Sequence, residues 1–108
     1  MECQSIDGLK LDNESLRAIE EIRRKRNLAE YLTSTLSSGV LATILTTGKP
    51  LLMSYNIYQS DFQAFANAMF AVPVILRGEI EKIAGRQLIR SLDPKQRSFW
   101  KGIYYGCN

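Results

Sequence analysis

Between Tyr31 and Leu76 the chain carries only two charged side chains, Lys49 and Asp61, over 46 residues. An even spread of the overall charged fraction of 23% would put about ten there. The flanks are rich in charge. Residues 1–30 hold six Lys or Arg and seven Asp or Glu, and residues 77–108 hold seven basic and three acidic side chains. Two arrangements explain such a depletion. The middle is the buried heart of the fold, or it is an apolar hairpin meeting a membrane or a partner.

A membrane-crossing helix needs about 20 predominantly apolar residues. Residues 31–47 are diluted by Thr33, Ser34, Thr35, Ser37, Ser38, Thr43, Thr46 and Thr47, and residues 62–76 are interrupted by Gln63, Asn67 and Pro73. Ser34, Ser38 and Ala42 recur every fourth residue, a spacing that suits close helix packing in lipid and in water alike. The buried core is the leading expectation and a membrane-embedded helical hairpin the alternative. The N-terminus has neither a cationic start nor an apolar run, so no secretory signal is expected and the cytoplasm is the expected location.

Local signals point to a mainly α fold. Asp12 or Asn13 can cap a helix whose stripe is Leu16, Ile19 and Ile22, with Glu20–Arg24 and Glu21–Lys25 as supporting pairs. That helix is expected to run from about Asn13 into the thirties, with Leu28, Leu32 and Leu36 continuing an apolar face, and the change of phase between Ile22 and Leu28 marks a bend or break near Arg26. Ser60 or Asp61 can open a second helix that ends near Pro73. Gly78–Leu92 is amphipathic through Ile80, Ile83, Ala84 and Leu88, and Asp93-Pro94 closes it and opens a last helix through Trp100. Val40–Ile57 stays open. Thr46-Thr47-Gly48-Lys49-Pro50 is a turn signal and Leu51, Met53, Tyr55 and Ile57 alternate, so a β-hairpin over residues 40–57 competes with continued helix. The expectation is a single domain over residues 1–108, with an irregular segment at 1–12 and a bundle of about four helices after it. An α+β fold is the alternative.

Chemistry-bearing patterns are few. Histidine is absent, and the two cysteines stand at positions 3 and 107, so no metal or other cofactor is expected and no His-based catalytic pair exists. Gly48-Lys49 is not a phosphate loop, because Thr43 and Pro50 occupy the positions of its first Gly and its Ser or Thr. The expectation is a non-enzymatic binding protein: an adaptor, an inhibitor or a subunit of a larger assembly.

Three groups of residues are candidates for its contacts. Arg97, Trp100, Lys101, Tyr104 and Tyr105 mix rings with cations, as protein hot spots do. Lys82, Arg86 and Arg90 would form one ridge on a helix and, with Lys95 and Arg97, could hold phosphates, which makes nucleic acid the alternative partner. Arg23, Arg24, Lys25 and Arg26 form a weaker basic run, splayed around a helix among acids. Another protein is the expected partner, with self-association, nucleic acid and membrane as further outcomes.

Overall fold

A computed structural model describes residues 5–25, 41, 55–70 and 72–105. The described residues form a mainly α bundle with a small antiparallel sheet. In chain order the elements are β1 (Ile6–Leu9), α1 (Asn13–Arg23), β2 (Tyr55–Ile57), α2 (Gln59–Met69), α3 (Val74–Arg90) and α4 (Pro94–Tyr105).

The N-terminal segment is not irregular as expected. Ile6–Leu9 pairs with Tyr55–Ile57, with Ile6 opposite Ile57 and Leu9 opposite Tyr55. The strand expected around Tyr55 and Ile57 is present, but its partner comes from the chain start. Leu41, expected on the other arm of a hairpin, is helical and buried. The turn at Gly48 lies outside the described residues. Ile6 and Leu9 are three apart, so regular alternation would put them on opposite faces. Gly8 resolves this with φ of 65°, a left-handed conformation that glycine adopts at little cost, and the register shifts there. Both side chains therefore reach the core. The Gly8 N–H, turned away from the ladder, donates to Asn56 Oδ1 at 3.0 Å.

Each helix start has a local cause. Asp12 caps α1 by accepting from the Ser15 N–H at 2.8 Å, and α1 stops at Arg24, close to the expected break. Asp61 accepts from the Tyr58 N–H at 2.9 Å, which fixes the start of α2 one turn before the aspartate. Pro73 precedes α3, which begins at Val74, a turn earlier than the expected Gly78. Asp93 accepts from the Gln96 N–H at 2.9 Å and Pro94 occupies the first helical position, where its missing N–H costs nothing. The last helix runs past Trp100 to Tyr105.

The core gathers Ile6, Leu9, Ile19, Ile22, Leu41, Ile57, Phe62, Phe65, Ile80, Ile83, Phe99, Trp100 and Ile103. α3 and α4 form its tightest pair, and α1 crosses α3. Phe99 and Trp100 meet edge to face, with ring centroids 5.0 Å apart. Leu41, Ile57, Phe62, Phe65, Ala68 and Val72 all come from the charge-poor stretch, so part of that depletion is core. Phe62–Leu76 is not one apolar helix: α2 ends at Met69 and α3 begins at Val74. No helix among the described residues is long and apolar enough to cross a membrane.

Candidate functional site

Trp100 does not stand at the surface. It is 0% exposed, and its Nε1 donates to Ser15 Oγ at 3.0 Å. This corrects its expected role as a partner anchor. Positions 99, 100 and 103 lie on the inner side of α4, and the indole is the largest side chain there, so the core takes it. Around it lies a polar network joining three helices. Ser15 Oγ donates to Gln96 Oε1 at 2.9 Å, and Gln96 Oε1 also accepts from the Asp12 N–H at 2.8 Å. Arg90 completes it, donating from Nη1 and Nη2 to the two Asp12 carboxylate oxygens at 3.2 and 3.1 Å.

The network acts on Asp12. Partial burial pushes its carboxyl up, but the Arg90 guanidinium and the hydrogen bonds from Ser15 and Gln96 outweigh that and lower its pKa from 3.8 to about 2. A depressed folded-state value means that the ionised carboxylate stabilises the fold above pH 3.8, and that this contribution is lost as pH falls through about 2. The Asp12 side chain is 44% exposed, so solvent screening holds the contribution to about 1 kcal/mol. Asp12→Asn keeps a capping oxygen and removes the charge. It is expected to melt below the wild type at neutral pH and to converge with it near pH 2. A gap that stays constant across that range would show that the charge contributes nothing.

The basic ridge of α3 is turned toward α1. Arg90 is held by Asp12 and by Gln87, and Arg86 Nη2 stands 3.5 Å from Glu21 Oε2. Cations four apart repel mildly. Here the α1 carboxylates relieve that repulsion from within the chain. Lys82 is exposed. Lys95 is also exposed, and its Nζ stands 3.6 Å from where a Cβ would sit on Gly8. Arg97 donates from Nη1 to the carbonyls of Leu88 at 2.7 Å and Ser91 at 3.1 Å, so its guanidinium closes the end of α3.

The earlier basic run is tied up in the same way. Arg23 and Arg24 both pair with Glu20, and Lys25 Nζ is 3.5 Å from Glu79 Oε2. The Arg23 hydrogen bond holds the Glu20 carboxyl below its usual range. Arg26, Cys3 and Cys107 lie outside the described residues. Between α1 and α3 these side chains line an open groove of about 840 Å³ in which cations (Arg17, Arg24, Lys25, Arg86, Arg90) alternate with anions (Glu14, Glu20, Glu21). Cations outnumber anions there five to three, and Arg17, Arg24 and Arg86 are each paired with one of those glutamates.

A different surface stands out. At the turn from α2 to α3, Phe70 is 74% exposed, Val74 71% and Ile75 81%. Next to them a recess of about 150 Å³ is lined by Phe65, Ala66, Met69, Phe70, Arg77, Glu81, Ile103, Tyr104 and Tyr105. Tyr104 and Tyr105, both exposed, meet edge to face with centroids 4.8 Å apart. Of the expected aromatic and basic group, these two tyrosines belong to this surface. Lys101 is exposed on the same helix but does not line the recess. Arg77 brings a charge to the apolar recess, and its Nε is buried without a hydrogen-bond partner. Phe70, Val74 and Ile75 were missed because each sits inside the charge-poor stretch, where core and contact residues have the same composition. The turn signal at Pro73 was the usable clue, since an apolar triplet around a turn is hard to bury on every side.

Among the described residues, no group of three His, Cys, Asp or Glu side chains is placed to hold a metal ion. Comparison with protein-family models, with curated proteins and with solved structures gives no match for this chain.

Proposed function

We propose that the chain is a non-enzymatic protein-docking module, an adaptor, inhibitor or assembly subunit, whose contact face is the α2–α3 turn together with the end of α4. The observation that carries this reading is the exposure of Phe70, Val74 and Ile75 beside a recess walled by Phe65, Met69, Tyr104 and Tyr105. Fully burying a side chain of this kind is worth about 1.5–3 kcal/mol. Three neighbours left in water are a reservoir that a partner can draw on, and contiguous apolar patches of this sort mark contact sites. Tyrosines at the edge add area at low conformational cost.

A photo-crosslinking amino acid placed at Ile75, and separately at Lys95 on the opposite end of the α3–α4 pair, tests the reading in cells. Position 75 is expected to give a discrete adduct whose tryptic peptide names the protein it touched. Position 95 is expected to give none. Equal and diffuse labelling from both positions would overturn the assignment of this face.

A further inference from the structure

We infer that the occupant of this face is a second copy of the same chain, docked across a two-fold axis that crosses α3 near Gly78–Glu79. The inference rests on the docking reading and deepens it. A two-fold contact requires a surface that complements itself: wherever residue i meets residue j, j must also meet i. The face has two such complementarities.

The first is electrostatic. Arg77 and Glu81 are one helical turn apart on α3 and both line the recess. None of the ion pairs among the described residues takes in either of them. Arg77 Nε is left buried without an acceptor, which is a cost in any state that does not supply one. Two antiparallel copies of α3 crossing between these residues bring Arg77 of each against Glu81 of the other, and the pair forms twice. Charges of opposite sign at positions i and i+4 are self-complementary under this symmetry.

The second is steric. Phe70 projects from the face as an exposed ring, while the recess beside it has a volume of about 150 Å³. The recess is open to solvent, with Phe65, Met69 and Ile103 among its apolar walls and Arg77 and Glu81 on α3, and its volume is of the order an aromatic ring fills. Ring and recess lie on one surface, so a two-fold axis between them places each copy's Phe70 in the other's recess. Val74, on the side of α3 that carries Arg77 and Glu81, then lies near the axis, with Ile75 at its edge. A face of this extent is at the small end for a specific interface, so a reversible dimer with a micromolar constant is expected rather than an obligate one.

The test is sedimentation equilibrium of the full chain across a concentration series. The weight-average mass is expected to rise from 12.3 kDa toward twice that value. Glu81→Arg and Phe70→Asp change exposed side chains and are each expected to keep the chain at the monomer mass. Arg77→Glu breaks the same pair from the other side. An equimolar mixture of the Glu81→Arg and Arg77→Glu proteins, in which opposite charges again face each other, is expected to recover association. If Arg77→Glu loses its helical circular dichroism, the Glu81→Arg and Phe70→Asp results decide.

A wild type that stays monomeric throughout, or a Glu81→Arg protein that dimerises like the wild type, would overturn the inference. The crosslink from position 75 separates the two levels. An adduct with this chain's own peptide supports the second copy. A defined foreign peptide overturns it and leaves the docking reading standing, and no adduct removes both.

Discussion

Trp100→Ala is expected to destabilise the fold by about 3–5 kcal/mol, a range that spans much or all of the stability of many single domains. The indole is fully buried, and its removal leaves a cavity bounded by Phe99 on its own helix and by Ser15 on α1. Ser15 Oγ, itself buried, would keep its bond to Gln96 and lose the nearer of its two donors, leaving Arg90 Nη2 at 3.5 Å. Trp100→Phe separates the two effects. It fills most of the cavity while removing the N–H, so a smaller cost of about 1–2 kcal/mol is expected. Trp100 is the chain's one tryptophan, so unfolding of both variants is followed by far-ultraviolet circular dichroism in a denaturant series. An Ala variant that unfolds with the wild-type midpoint would place the indole at the surface and restore it as a contact residue.

The same residue shows where sequence patterning stops informing. Trp, Tyr, Lys and Arg interleave over residues 95–105, and that mixture has one composition whether the rings face the core or a partner. Only the helical phase decides. Phe99, Trp100 and Ile103 fall on the inner side of α4 and Lys101, Tyr104 and Tyr105 on the outer side. The last helix runs to Tyr105, not Trp100, and over that longer span the phase becomes readable.

Two helix starts were legible because their causes are local: Asp12 and Asp93 each accept from a backbone N–H three residues on. By contrast, α2 starts from Tyr58, ahead of the expected Ser60 or Asp61, and α3 a turn before Gly78. The pairing of β1 with β2 was not legible, since strands some fifty residues apart leave no short-range signal, and the bulge at Gly8 breaks the alternation that would have marked the first of them. Lys82, Arg86 and Arg90 all lie on one helix, α3. What the sequence does not show is that α1 crosses it and supplies Asp12 and Glu21 as its counter-charges. Residues 31–76 carried the hardest ambiguity: among those described, Phe62 and Phe65 are core, while Phe70, Val74 and Ile75 are exposed.

Gly→Ala is expected to have opposite signs at two helical positions, and Gly102 has the larger effect. Alanine is favoured over glycine in a helix interior by about 1 kcal/mol. At Gly78 a Cβ would meet open space, so Gly78→Ala should stabilise the chain by roughly that amount. At Gly102 the Cβ would overlap Cε1 and Cδ1 of the Phe62 ring well inside van der Waals contact. That ring is fully buried where α2 packs on α4, and it has no solvent to swing into. Overpacking of this kind costs about 1–3 kcal/mol, occasionally more, and outweighs the propensity gain. If the ring is the obstacle, trimming it must relieve the penalty. In a Phe62→Leu background, Gly102→Ala should therefore cost distinctly less than in the wild type, a coupling readable from the four denaturation midpoints of a double-mutant cycle. Additive costs would mean that the backbone, not the ring, resists the methyl group, and that the close approach of α2 and α4 is not what requires glycine at position 102.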